Sequence, residues 1–240
     1  MQIKSFTFAG HSAVFFELQV SAAETKSLAI DPWLDTNPAC PPSIKNPARL
    51  DYIVLTHGHF DHAGEVVSLA KKYGAKIYCN YELSSILKSE GVSESQLEPM
   101  NKGGSITIEG LKISLTHAFH SSSYDTSQGA IYAGEPCGIV LSDGKTTIYH
   151  AGDTALFSDL KLIGESHKPQ IALLPIGDRF TMGPKEAAQA ATLVGASLAI
   201  PVHYNTFPVL TGTYAEFAEE CSKYGISSKE LAPGEQHRVM

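Results

Sequence analysis

In the stretch Thr56-His-Gly-His-Phe-Asp-His62, three imidazoles and one carboxylate crowd between His57 and His62. They follow the apolar run 51–56, which reads as a buried strand ending at a glycine-punctuated loop. His57 and His59 are two positions apart, so in an extended loop they point the same way and can pinch one ion. Asp61 and His62 lie one turn further on and can serve a second. Neutral imidazole and carboxylate suit zinc, manganese and iron. The pattern therefore points to metal chemistry rather than to a group of solvated surface histidines.

Such a loop needs a rigid scaffold, and the rest of the chain supplies one. Short β-branched runs predict strands over 3–8, 13–18, 28–31, 52–56, 76–79, 105–108, 112–117, 138–141, 146–150, 171–175 and 198–202. Amphipathic patterns predict helices over 63–73, 82–90, 155–164, 184–194 and 214–224. Pro184 suits a first helical turn, and Gly74, Gly91, Gly195 and Gly225 stand where helices should stop. The proline-rich stretch 38–47 is expected to be a surface loop without regular structure. Asn101-Lys-Gly-Gly104 reads as a joint between two halves of similar content, giving two sheets packed face to face with helices outside. The expectation is one domain spanning residues 1–240, its halves joined near 100–104.

Further ligand-type residues stand where strands end. They are His120 in Phe119-His-Ser-Ser122, His150 and Asp153 in His150-Ala-Gly-Asp-Thr154, and His203 with Tyr204 after the run 198–202. Here the chain resembles the metallo-β-lactamase superfamily over nearly its whole length. More narrowly, it is similar to the branch of uncharacterised metal-dependent hydrolases related to the ascorbate-6-phosphate lactonases. The branch resemblance is carried by Gly10-His-Ser12, Ile30-Asp-Pro-Trp33, Ala118-Phe-His-Ser-Ser122, Tyr149-His-Ala-Gly-Asp-Thr154, Leu174-Pro-Ile-Gly-Asp178, Phe180-Thr-Met-Gly-Pro184 and Pro201-Val-His-Tyr-Asn-Thr-Phe207. It implies an α+β fold, a four-layer αββα sandwich, with a dinuclear site along one edge. It further implies one divalent ion, Zn2+ or Mn2+ (iron also fits), on His57, His59 and His120. A second would sit on Asp61, His62 and His203, with Asp153 bridging. Two such ions about 3.5–4 Å apart share a hydroxide that is deprotonated near neutral pH. Asp61 could orient that hydroxide or collect its proton, which makes Asp61 and Asp153 the catalytic candidates. A bridging carboxylate is absent from the true β-lactamases, so antibiotic hydrolysis is disfavoured.

Several residues admit two readings. His117 continues the strand alternation and reads as packed or hydrogen-bonded, leaving the third-histidine role to His120; His150 reads as partly buried behind the ligands. His11 either braces a tight turn or faces the site, and Asp31 either orients a ligand histidine or is a plain turn carboxylate. Asp178 and Thr181 lie in a loop expected to face the metals, although Thr181 could instead cap the 184–194 helix. Arg179 could grip an anion or be solvated. Tyr204 could donate to a developing oxyanion or simply pack.

Composition excludes several classes. The chain has 240 residues, 43% of them hydrophobic, and a formal net charge of −7. Such a surface repels phosphate backbones, so nucleic acid is not an expected partner. No segment has the length of a membrane span, and residues 1–8 read as a strand rather than a signal peptide. Cys40, Cys79, Cys137 and Cys221 have no paired spacing, which fits reduced cysteines and a cytoplasmic location. A small-molecule substrate is expected, and self-assembly into a homo-oligomer is compatible with this size. The reaction expected is hydrolysis of an ester-like bond, with a lactone favoured. A phosphodiesterase using the same site and a non-catalytic metal-dependent binding protein are the alternatives.

Overall fold

A computed structural model describes residues 1–239. The first half builds β1 (Gln2–Gly10), β2 (Ala13–Gln19), β3 (Thr25–Ile30), β4 (Tyr52–Val54), β5 (Lys76–Asn80) and β6 (Leu97–Met100). The second half builds β7 (Ser105–Ile108), β8 (Leu111–His117), a ribbon of β9 (Ser123–Thr126) with β10 (Gly129–Tyr132), and then β11 (Cys137–Ser142) and β12 (Thr147–His150). It continues with β13 (Ile171–Pro175), β14 (Leu198–Val202) and β15 (Ser227–Ser228); β16 (Gln236–Arg238) closes the described chain. Two seven-stranded sheets result, ordered β16-β1-β2-β3-β4-β5-β6 and β15-β14-β13-β12-β11-β8-β7. Each is antiparallel on one side and parallel on the other, the change falling at β3 and at β12.

The helices are α1 (Pro42–Lys45), α2 (Phe60–Ala63), α3 (Val66–Tyr73), α4 (Tyr81–Ser89), α5 (Leu160–His167), α6 (Pro184–Val194) and α7 (Tyr214–Lys223). Strand alternation sorts the apolar residues into three layers of contact. Phe6, Phe16, Leu28 and Val54 from the first sheet meet Leu115, Ile139, Leu173 and Ile200 from the second. On the outer faces, Ala29, Ile53 and Ile77 pack with Leu69 and Leu83 of the helices, while Ala172 and Leu174 pack with Ala187, Ala191 and Phe217. Strands covered on both faces need continuous apolar runs, and β13 is buried at every position. The architecture is the expected αββα sandwich.

Several local expectations needed correction. The proline-rich stretch does hold one helical turn, α1, because a proline at its start already has the helical φ. The helix expected over 63–73 is two pieces, α2 and α3, separated at Gly64 and Glu65. The Glu65 carboxylate accepts from the backbone N–H groups of Leu34, Asp35 and Thr36 and from the Thr36 hydroxyl, binding the loop after β3 at that break. The helix expected to begin at Ala155 begins at Leu160. Before it, the Ala155 N–H donates to the Phe119 carbonyl and the Phe119 N–H donates to Thr154 Oγ1, so this chain is committed to lashing two loops together. The β9–β10 ribbon was not foreseen, since its second strand is exposed throughout and carries no core face.

Leu28 is completely buried between the sheets. Leu28→Ala should cost about 2–5 kcal/mol in urea unfolding, as expected when a closed core leaves a cavity. A loss under about 1 kcal/mol would show that the two sheets repack freely.

Candidate metal centre

Asp31 follows the end of β3 in a left-handed backbone conformation, φ +47°. Its buried carboxylate accepts from the Thr56 N–H at 2.8 Å and the Thr56 hydroxyl at 2.6 Å, both just past β4. It also receives His62 Nδ1–H at 2.8 Å. This turns His62 Nε2 away from Asp31, towards Asp153 Oδ1 at 3.5 Å. Gly58 passes so close to the ribbon that a Cβ there would lie 2.6 Å from Ala133 Cβ and 2.9 Å from the Ser123 carbonyl oxygen. The motif can be anything but bulky at that position. His57 Nε2 and His59 Nδ1 then converge to 2.9 Å.

The other ligand-type residues arrive from the second sheet. His120 precedes β9, and its Nε2 lies 3.7 Å from Asp153 Oδ2. Asp153 follows β12; His203, directly after β14, places Nε2 3.0 Å from the same Asp153 oxygen and 3.8 Å from Asp61 Oδ2. Donor atoms fall into compact groups, one of His57, His59 and His120, another of His11, Asp61, His62 and His203, each within 4.8 Å. Asp153 contacts both groups.

These side chains fit divalent ions. His62 Nε2 and Asp153 Oδ1 are buried and have no hydrogen-bond partner, an expensive arrangement for polar atoms unless a ligand satisfies them. Arms of about 2.0–2.2 Å around a tetrahedral ion set neighbouring donors roughly 3.4 Å apart. The donor separations of 2.9 to 3.9 Å bracket that spacing.

His11 is closer to this cluster than its turn position alone would reveal. Its Nε2 lies 2.9 Å from Asp61 Oδ2 and its Nδ1 2.9 Å from Thr206 Oγ1. The His203 N–H donates to the His11 carbonyl at 2.6 Å, so the β1–β2 turn docks directly on the end of β14. Both residues are left-handed, with φ +56° and +54°, an uncommon conformation for histidine that the contact holds in place.

The remaining candidates lie elsewhere. His150 is buried behind the site, with Nε2 on the Ser12 carbonyl oxygen at 3.0 Å. His117 is exposed but hydrogen-bonded, its Nδ1 accepting from Lys102 Nζ at 3.2 Å, and its ring meets Phe157 edge-on at 5.2 Å, away from the cluster. Tyr204 points away: its hydroxyl donates to Glu230 at 2.9 Å, and it lines a separate cavity with Leu231 and Pro233. Asp178 accepts from the Thr211 hydroxyl at 3.3 Å, outside the cavity over the histidines. Thr181 does not cap the following helix, where Gly183 holds the N-cap position and its N–H donates to Glu186 at 3.2 Å. Arg179 lines a neighbouring shallow cavity with Val209 and Thr211.

The Beta-lactamase superfamily domain matches residues 27–204. The chain belongs to the metallo-β-lactamase superfamily. Within this superfamily it is similar to a UPF0173 metal-dependent hydrolase of Rubrobacter xylanophilus, 44% identical over 234 residues, covering 96% of this chain and 94% of the relative. A second UPF0173 metal-dependent hydrolase, from Anoxybacillus flavithermus, is 48% identical over 205 residues, with 85% and 87% covered. Among solved structures, the metallo hydrolase Igni18 of Ignicoccus hospitalis superposes with a TM-score of 0.87 at 33% identity, covering 100% of this chain and 99% of that one. With these relatives over nearly its whole length, the chain is a metal-dependent hydrolase of that superfamily.

Protons and metal ions compete for the same nitrogens. Burial alone would lower the pKa of His62, but Asp153, Asp31 and Asp61 outweigh it and hold the imidazole well above its ordinary value. Burial likewise opposes protonation of His203, yet Asp153 and Asp61 push it up to about 9. His57, buried beside His62, is pushed well below its ordinary value and stays neutral. In the metal-free protein, the His203 contribution to stability is full below its ordinary value near 6.5 and fades as pH rises through about 9. Metal binding has the opposite slope, because coordination needs the neutral ring. Zinc affinity should therefore climb as pH rises from 6.5 to about 9, with proton release at pH 7 measurable by calorimetry in buffers of different ionisation enthalpy. Affinity constant across that range would refute the competition.

Asparagine tolerates the left-handed backbone of Asp31, so Asp31→Asn isolates the carboxylate. Loss of the His62 anchor should weaken metal retention about 10–100-fold in chelator competition. Retention equal to the parent protein would remove Asp31 from the site.

Proposed function

We propose that the protein hydrolyses an ester-like bond, a lactone before other esters, at a centre of two divalent ions, zinc or manganese. His57, His59 and His120 would hold one ion; Asp61, His62 and His203 would hold the other, with Asp153 shared. The observation that carries this reading is the placement of Asp153. Its Oδ1 faces His62 at 3.5 Å, while its Oδ2 lies 3.7 Å from His120 and 3.0 Å from His203, so one carboxylate reaches both groups. When bound, such a pair supplies Lewis acidity and lowers the pKa of a coordinated water towards neutrality.

The chain's own residues supply position and charge. Burial would raise the Asp61 pKa, but His62, His11 and His203 hold this carboxyl well below the usual range. Asp61 is therefore ionised at neutral pH and can only accept hydrogen bonds. His11 is neutral there, because burial and the nearby His203 push it down to about 4. Its Nε2 must accordingly carry the proton donated to Asp61, leaving Nδ1 to accept from the Thr206 hydroxyl. Asp61 is thus oriented from behind, and its role is to position rather than to store a proton. Asp153 is ionised for the same reason, with His203 and His62 outweighing its burial. The lactone preference rests on the sequence resemblance and not on a contact in the cavity.

Asp153→Ala should lower turnover at least 10²-fold and reduce bound metal from near two ions per chain, while the fold persists by circular dichroism. The check is an assay of zinc- and manganese-reconstituted protein on lactones, phosphomonoesters and phosphodiesters, with metal quantified in the same samples. Undiminished activity in the variant would end the shared-carboxylate reading. Turnover of phosphodiesters alone would replace the lactone, and metal binding without turnover of any ester would favour a binding protein.

A further inference from the structure

Above the donor cluster lies a cavity of about 320 Å³. Its floor is the candidate centre, and its walls are Phe60, Phe180, Ser121, Ser123 and Asp125. Phe60 and Phe180 are 52% and 56% exposed and line the same cavity, so one bound group could cover both. Phe60 is braced on one side. Its ring meets Trp33 edge-on at 5.7 Å, and buried Trp33 is itself anchored by Nε1–H donation to Thr36 at 2.6 Å. Phe180 has the Arg179 guanidinium 5.9 Å from its ring centroid.

The charge of the walls is as informative as their shape. No lysine or arginine lines this cavity among the described residues, and Arg179 opens into the adjoining one. Asp125 makes no ion pair among the described residues, so its charge is not cancelled by a neighbouring cation. A phosphate or carboxylate remote from the reacting bond is normally gripped by arginine or lysine. Here it would meet two phenyl rings, two hydroxyls and a carboxylate, while the Arg179 guanidinium, 5.9 Å from the Phe180 centroid, lines the adjoining cavity. Bound ions would add their positive charge at the floor, at the reacting end of a substrate.

We propose that the substrate carries, beyond its scissile bond, an apolar aromatic or alkyl group without phosphate or carboxylate, clasped between Phe60 and Phe180 and screened against anions by Asp125. The reaction at the floor rests on the ester-hydrolase reading above, but this tail selectivity is separable from it. Phe60, Phe180 and Asp125 are then specificity-determining residues.

Two hydroxamates, one with a phenylpropyl and one with a phosphonopropyl tail, chelate the metals through the same head and need no turnover. On zinc-loaded protein, calorimetry should show the phenyl probe binding at least tenfold tighter. Asp125→Lys should shift the ratio by roughly tenfold towards the phosphonate, and Phe180→Ala should weaken the phenyl probe several-fold more than its counterpart. Equal or tighter binding of the phosphonate to the parent protein, no binding of the phenyl probe, or an unchanged ratio in Asp125→Lys would each overturn the proposal. A phenylalkyl lactone assayed alongside separates the two readings. Phenyl selectivity without lactone turnover discards the reaction and keeps the tail, whereas lactone turnover with phosphonate selectivity does the reverse.

Discussion

The buried Asp31 carboxylate is the constraint from which the site is built. A buried polar group is tolerable only when partners replace its lost hydration. Asp31 has three, the Thr56 N–H, the Thr56 hydroxyl and His62 Nδ1. These contacts join the end of β3 to the loop after β4 and set the rotation of His62. The Asp31 N–H continues the parallel ladder by donating to the Val54 carbonyl, so the carboxylate is positioned by the sheet itself. The site is therefore an extension of strand pairing, and its precision comes from β3 and β4 rather than from the loop.

A second set of contacts brings the two sheets into register at the same edge. The β1–β2 turn reaches β14 through the His203 N–H and the His11 carbonyl, and the rings of these residues lie 4.0 Å apart. The Thr154–Phe119 bond does the same for the loops carrying Asp153 and His120. The left-handed residues His11, Asp31 and His203 all belong to this edge. Backbone strain collects where side chains must converge, at the expense of the most comfortable local geometry.

Much of this was legible in the sequence because each donor ends an apolar run. His57, Asp153 and His203 each follow a strand whose burial is obvious from its residues, and the spacing within 57–62 specifies its own geometry. Other features depend on packing between distant segments. His11 meets Thr206 across 195 positions, and no local pattern encodes that contact. Tyr204 adjoins His203 in sequence, but left-handed backbone at His203 and Asn205 turns it to the opposite side. The 63–73 stretch reads as one helix because its periodicity is continuous. Its break reflects Glu65, whose carboxylate is bound to a loop thirty residues earlier. The β9–β10 ribbon escaped notice because its second strand, open to solvent, shows no alternation to read.

The proposed donors are divided between the sheets: His57, His59, Asp61 and His62 from the first, and His120, Asp153 and His203 from the second. During synthesis, the first half of the chain emerges with only part of the set. A full complement forms only after His203 has left the ribosome and β14 has docked on the β1–β2 turn. A complete set of proposed donors therefore depends on tertiary assembly of both halves of the chain.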